Sequence, residues 1–165
     1  MTAIDKLKEV SSFLKSKGIE DAAKEAEILI IETLRISKSK LYAGSFEMSE
    51  DESKQIDALA SRRARREPLQ YILGHVEFCG LKIKVGQGVL IPRPETELLA
   101  EEVIKAVQRS AFSVQRKSKD SELQTSNSEL RILDLCTGSG CLALAIAKHF
   151  PDAEVYGTDI SKDAI

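Results

Sequence analysis

At 165 residues, 42% of them hydrophobic and 30% charged, the chain has the composition of a globular protein holding one ordinary domain or two small ones. No apolar run approaches the ~20 residues of a membrane helix, and the opening Met1-Thr2-Ala3-Ile4-Asp5-Lys6 lacks the charged and apolar regions of a signal peptide. The net charge of −2 conceals one asymmetry, the crowding of Arg62, Arg63, Arg65 and Arg66 in a single short segment. The three cysteines, Cys79, Cys136 and Cys141, are odd in number and lack CxxC spacing, which fits a reduced, cytoplasmic setting better than a disulfide framework or a metal knuckle.

The first sixty-odd residues read as helices. Ile4, Leu7, Val10, Phe13 and Leu14 recur at helical spacing, with Gly18 as the stop. A second amphipathic helix starts at Asp21 and carries Ala22, Ala23, Ala26, Leu29, Ile30 and Leu34. A third opens at Ser49, where Glu52 completes a capping box; it turns Ile56, Leu59 and Ala60 inward and ends in the arginine cluster before Pro68. A solvated helix end, whose cations complement the dipole, is the default reading of those arginines, the alternative being contact with an anionic partner. From Tyr71 the texture changes. Val76, Phe78, Leu81, Ile83 and Val85 flank Cys79-Gly80 as a β-hairpin. Pro94 fits the first turn of the next helix, Glu95 and Glu97 suit its positive end, and Leu98, Leu99, Val103, Ile104 and Val107 continue it. Residues 109–129 are serine-rich and charged, and read as a flexible, solvated loop without function.

The chemistry lies in Arg131-Ile132-Leu133-Asp134-Leu135-Cys136-Thr137-Gly138-Ser139-Gly140, followed by an apolar stretch and then Val155-Tyr156-Gly157-Thr158-Asp159. This is a strand, a glycine turn, a helix and a second strand ending in a carboxylate, the nucleotide-gripping half of a Rossmann-like sheet. Gly138 and Gly140 let a ligand approach the backbone more closely than a Cβ allows. The helix from Cys141 offers free N–H groups, and Asp159 is placed to accept from both hydroxyls of an adenosine ribose. Two cofactors compete. Gly138-Ser139-Gly140-Cys141-Leu142-Ala143 matches the dinucleotide fingerprint, but Asp134, directly before the turn, would repel a pyrophosphate. It would instead attract the cationic amino-acid end of S-adenosylmethionine, so the methyl donor is favoured. The plainer readings are a turn-bonding carboxylate for Asp134 and a helix cap for Asp159. His75 and His149 are not spaced with other ligand types, so no metal site is expected.

Four segments carry a resemblance to a known family: Arg66-Glu67-Pro68-Leu69-Gln70-Tyr71-Ile72-Leu73-Gly74, the hairpin around Phe78, Leu90-Ile91-Pro92-Arg93-Pro94-Glu95-Thr96-Glu97, and Ile132 through Gly140. In this order they resemble the release-factor glutamine methyltransferases (HemK/PrmC), over essentially the whole chain. The resemblance implies an α + α/β architecture: a helical release-factor-docking domain over 1–73, a linking β-hairpin over 74–88, and over 89–165 the N-terminal part of a class I, Rossmann-like methyltransferase domain. It implies methyl transfer from S-adenosylmethionine to the glutamine side-chain amide in the Gly-Gly-Gln motif of a peptide chain release factor. Cofactor-binding positions would be Asp134, Cys136, Thr137, Gly138, Ser139, Gly140 and Asp159, with Ile91 to Glu97 helping to close the pocket; no catalytic residue is assigned. The family's later Asn-Pro-Pro-Tyr substrate motif is not in this sequence. The expectation is therefore a truncated enzyme with no turnover alone and with open strand edges. A release factor is the expected partner, without direct nucleic-acid or membrane binding. A nucleic-acid adenine methyltransferase fragment and a non-catalytic NAD- or nucleotide-binding module remain as alternatives.

Overall fold

The computed structural model describes residues 1–117 and 130–164, in two compact units, Met1–Leu73 and Gly74–Ile165.

The first unit is helical throughout. Helix α1 (Ala3–Ser16) is capped by Thr2, whose hydroxyl accepts from the Asp5 amide. It ends in a Schellman turn: the Ile19 amide donates to the Leu14 carbonyl and the Gly18 amide to Lys15, with Gly18 left-handed at φ 73. Helix α2 (Ala22–Leu34) follows, and α4 (Glu50–Ala64) opens with the capping box expected at Ser49 and Glu52, their reciprocal bonds measuring 3.2 and 2.7 Å. Two short helices were not legible, α3 (Lys38–Tyr42), capped by Ser37, and α5 (Leu69–Leu73); five residues span too few turns to show a period. Helices α1, α2 and α4 pack around Leu7, Val10, Leu14, Ala26, Leu29, Ile30, Leu41 and Ile56. Each fully buried Leu or Ile contributes about 1.5–3 kcal/mol, more than any surface ion pair nearby. Phe13, expected inside, instead lies partly outward beneath the Lys17 ammonium.

Charge in this unit is structural. Lys6 is buried at 1% exposure, with its ammonium 2.6 Å from Asp57 of α4 and 3.2 Å from Glu9. Burial alone would lower its pKa, but hydrogen bonds to the two carboxylates outweigh that and raise it. Arg62 and Arg63 stand in the last turn of α4, as the helix-end reading expects, but the cluster is engaged within the unit and not simply solvated. Arg62 pairs with Glu67, Arg63 makes a two-pronged pair with Glu25 at 2.5 and 3.1 Å, and Arg66 donates to the Lys17 carbonyl at the end of α1. The arginines thus tie the end of α4 to α1 and α2.

In the second unit β1 (His75–Phe78) pairs antiparallel with β2 (Leu81–Lys84), Phe78 opposite Leu81. Cys79 and Gly80 form the two-residue turn, both left-handed (φ 47 and 66), as the twist of a tight hairpin requires. Helix α6 runs Pro94–Lys117. The helix therefore takes in the first nine residues of the stretch expected as a loop, 109–117. Residues 109–117 contain no glycine or proline to interrupt the backbone ladder, and the rest of that expected loop, 118–129, lies outside the described residues. Strand β3 (Arg131–Leu135), helix α7 (Cys141–His149) and strand β4 (Glu154–Thr158) form a βαβ unit, the strands parallel with Arg131 opposite Glu154 and Leu135 opposite Thr158. Among the described residues these two strands pair only with each other, and Leu133, Leu135 and Tyr156 on one sheet face are more than half exposed. No described helix is long and apolar enough to cross a membrane.

The Lys6 arrangement separates two kinds of loss. Lys6→Met keeps the length of the buried stem and removes the charge, and is expected to change stability by less than about 1 kcal/mol. Asp57→Ala leaves the buried ammonium with Glu9 alone. It is expected to cost about 1–2 kcal/mol, below the figure for a fully buried pair because Asp57 is itself half exposed. Urea denaturation followed by circular dichroism decides between them; equal losses would refute the reading.

Candidate functional site

The candidate site is built where β3 gives way to α7. Backbone handedness alternates along the turn: Cys136 (φ 61), Gly138 (φ 55) and Gly140 (φ 72) are left-handed, with Thr137 and Ser139 between them. Successive N–H groups in such a path point to one side and form a concavity suited to electron-rich groups. The Gly140 amide closes the turn on the Thr137 carbonyl at 2.9 Å, and the Gly140 carbonyl accepts the first bond of α7 from Leu144. Gly140 caps that helix without any side-chain partner, leaving the first amides of α7 without a side-chain cap.

Thr137 holds three parts together. Its amide donates to the Thr158 carbonyl at 2.9 Å, carrying the β3–β4 ladder one step into the turn. Its hydroxyl donates to Asp134 Oδ2 at 2.7 Å. The same hydroxyl lies 2.9 Å from where a Cβ on Gly157 would stand, so a larger residue at 157 collides with it. Gly157 was not singled out as a site residue, although a glycine inside an apolar strand is a signal of close backbone approach.

The second carboxylate closes the arrangement from β4. Asp159 Oδ2 accepts from the Gly138 amide and Oδ1 from the Ser161 amide, each at 2.9 Å. The Ser161 N–H, then the Gly138 N–H, hold its carboxyl below the ordinary aspartate value. The capping reading of Asp159 is therefore realised, through the bond to Ser161 at the start of the 3-10 turn Lys162–Ala164. That use leaves acceptor capacity free, since an ionised carboxylate offers about four lone-pair sites. The turn-bonding reading of Asp134 is realised too, again with capacity left over.

Gly138 and Gly140 differ in what they permit. A Cβ on Gly138 would meet nothing within 4 Å, so the backbone there faces open space. A Cβ on Gly140 would touch Leu144 at 3.7 Å, an ordinary contact, and only the positive φ demands glycine. A cavity of about 320 Å³ begins at Thr137, Ser139 and Gly140 and continues along Ala143, Leu144 and Ala147 to Val155, Gly157 and Ala164. Asp134, Cys136, Gly138 and Asp159 are not part of its lining. The structure thus brings all seven sequence-derived positions to one strand-end turn, but only three of them line this cavity. Burial pushes the thiol of Cys141 up, and burial reinforced by Glu97 and Glu101 does the same to Cys79; Cys136 is exposed. Among the described residues no group of His, Cys, Asp and Glu is arranged to hold a metal ion.

Residues 5–74 match the family model described as the PrmC N-terminal domain. The chain is 41% identical, over all 165 residues, to the release factor glutamine methyltransferase of Thermodesulfovibrio yellowstonii, spanning 52% of that protein. It is 38% identical over 154 residues to the enzyme of the same name from Geobacter sulfurreducens (93% of the chain, 48% of the relative) and 34% identical over 162 residues to that from Clostridium acetobutylicum (98% and 51%). The chain therefore spans about half the length of the curated relatives it matches.

Two expectations follow from the turn. A non-glycine residue in the left-handed region costs about 1–2 kcal/mol, partly offset by the entropy that glycine loses on folding. Cys136→Gly should thus be neutral or stabilising by up to about 1 kcal/mol, and branched Cys136→Val destabilising by about 1–2 kcal/mol; thermal unfolding giving the reverse order would disprove the strain. Because the Asp159 pKa is depressed on folding, its contribution is complete above the ordinary value of 3.8 and lost as pH falls through the lowered one. Asp159→Asn should accordingly flatten the acid limb of the stability profile below that value, and an unchanged limb would contradict the assignment.

Proposed function

Because the chain belongs to the release factor glutamine methyltransferase family, we propose that it carries the cofactor half of an S-adenosylmethionine-dependent protein methyltransferase. Residues 1–73 are the partner-docking domain, 74–88 the hairpin linker, and 89–165 the first part of a class I, Rossmann-like methyltransferase domain, working in the cytoplasm. The acceptor is the side-chain amide nitrogen of the glutamine in the Gly-Gly-Gln motif of a peptide chain release factor.

One observation supports this above the rest: two carboxylates, Asp134 and Asp159, flank a left-handed glycine turn whose Gly138 backbone faces open space. The residues present fit S-adenosylmethionine. Asp159, ionised and with acceptor sites to spare, suits a ribose diol. Asp134, whose Oδ2 is oriented by Thr137, suits an ammonium group and disfavours the pyrophosphate of a dinucleotide. Cys136 through Gly140 supply amides and close backbone approach to the methionine end. When bound, this cofactor supplies an electrophilic methyl group; the residues here bind and orient it.

The acceptor side asks for more. An amide nitrogen is a weak nucleophile because its lone pair is delocalised, so rate acceleration has to come from orientation and electrostatics. The sequence contains no Asn-Pro-Pro-Tyr segment to supply them. Cofactor binding without turnover is the expected behaviour of this chain.

Calorimetric titration with S-adenosylmethionine, with NAD in parallel, tests the reading. Selective binding of the methyl donor is expected, with Asp159→Ala weakening it by at least about tenfold, the scale of a lost hydrogen bond to a charged group. Preference for NAD, or methylation of a release factor at the rate of a full-length relative, would each overturn part of it.

A further inference from the structure

We propose that Glu97 and Lys148 are positioning residues for the glycine turn, acting through the β-hairpin that they lock against α6 and α7. The two-residue turn Cys79-Gly80 leaves backbone groups that the β1–β2 ladder does not use, and two helices satisfy them. Glu97, in the first turn of α6, accepts from the Cys79 amide at 2.7 Å. Lys148, in the last turn of α7, donates to the Gly80 carbonyl at 3.1 Å and to the Cys79 carbonyl at 3.4 Å. Glu97 stands in the first turn of α6, as its expected service to the helix dipole requires, and the structure adds this specific acceptor role.

The lock reaches the site through one helix. Cys141, Ala145 and Lys148 are spaced i, i+4, i+7 and form one stripe of α7. The first two pack with Phe78, Ile83 and Ala100 in a single buried cluster, and the third holds the hairpin turn. The hairpin therefore grips α7 at both ends. Cys141 directly follows Gly140, so the grip at its N-terminal end fixes the helix start on which the turn is built. The neighbouring stripe, Ala143, Leu144 and Ala147, lines the cavity. A lysine serving only the C-terminal dipole of α7 would have no effect on the turn two helical turns away.

Hydrogen-exchange mass spectrometry on the whole chain tests this without any ligand. Lys148→Met and Glu97→Leu should each raise exchange across residues 136–144 on the order of tenfold, as well as at the hairpin. Lys148→Arg keeps a donor and Glu97→Gln keeps an acceptor oxygen, so both should restore most of the protection. Lys105→Met, which removes a surface partner of Glu101 and Glu102 on α6, should do nothing. Exchange in α1, α2 and α4 serves as the internal reference for folding. Should one variant fail to fold, the comparison of Glu97→Gln with Glu97→Leu, or of Lys148→Arg with Lys148→Met, still decides. Increased exchange confined to residues 78–81, with 136–144 at the wild-type rate, would overturn the proposal. A second arm rests on the cofactor reading above: S-adenosylmethionine affinity should fall about tenfold in Lys148→Met and recover in Lys148→Arg. If the unaltered chain binds no S-adenosylmethionine, that reading falls while the exchange data still judge this one.

Discussion

The amide of Thr137 donates to the carbonyl of Thr158, and through that bond the parallel ladder enters the turn instead of stopping at the strand end. Everything at the site follows from this extension. With the first turn residue pinned to the neighbouring strand, the Thr137 hydroxyl comes within reach of Asp134, and its bulk reserves position 157 for glycine. The chain must then reverse into α7 within three residues, which a left-handed conformation at Gly138 and Gly140 makes possible. Asp159, one residue past β4, is thereby brought beside the Gly138 amide. Two carboxylates from two strands meet one turn because a single backbone bond sets their register.

In the helical unit, charge does work that composition alone would assign to solvent. A segment with four arginines reads first as a solvated helix end, but Glu25, Glu67 and the Lys17 carbonyl take up three of them. The two ion pairs, to Glu67 and Glu25, are partly buried, so they sit between the exposed regime, where an ion pair is worth little, and the buried one, where desolvation dominates. Their value is directional: the guanidinium groups fix the end of α4 against α1 and α2. Arg66 achieves this at φ 69, a conformation that costs a non-glycine residue strain and that its bond to the end of α1 helps to maintain.

Features with a local physical cause were legible in the sequence. The Ser49 capping box, the Gly18 stop, the Cys79-Gly80 hairpin and the glycine turn each rest on residues a few positions apart, and each stands where the pattern put it. Features with a non-local cause were not. Nothing near Lys6 in sequence announces that Asp57 will meet it, and Glu97 gives no sign that it will take the Cys79 amide rather than solvent. Gly157 fell between these cases: its glycine was visible, but the Thr137 hydroxyl that requires it is twenty residues away. Helix α6 outruns its expected end because polarity marks exposure to solvent and not the end of a helix, which persists until something breaks its hydrogen bonds.

The two carboxylates also show why a structural and a functional reading of one residue need not compete. Asp159 serves as a cap through Oδ1, as a turn clamp through Oδ2, and remains ionised because both bonds favour its charged form. A neutral side chain in the same place would hold the turn less well and would also accept less from a ligand. The carboxylate is thus positioned by the backbone groups it stabilises, and its remaining lone pairs are presented in a fixed direction at no further ordering cost, which is preorganisation in its simplest form. The same coupling works in reverse. A ligand that engages Asp159 and the Gly138 backbone adds its binding free energy to the folded state alone. That gain matters most to β3 and β4, which among the described residues pair only with each other and leave Leu133, Leu135 and Tyr156 more than half exposed.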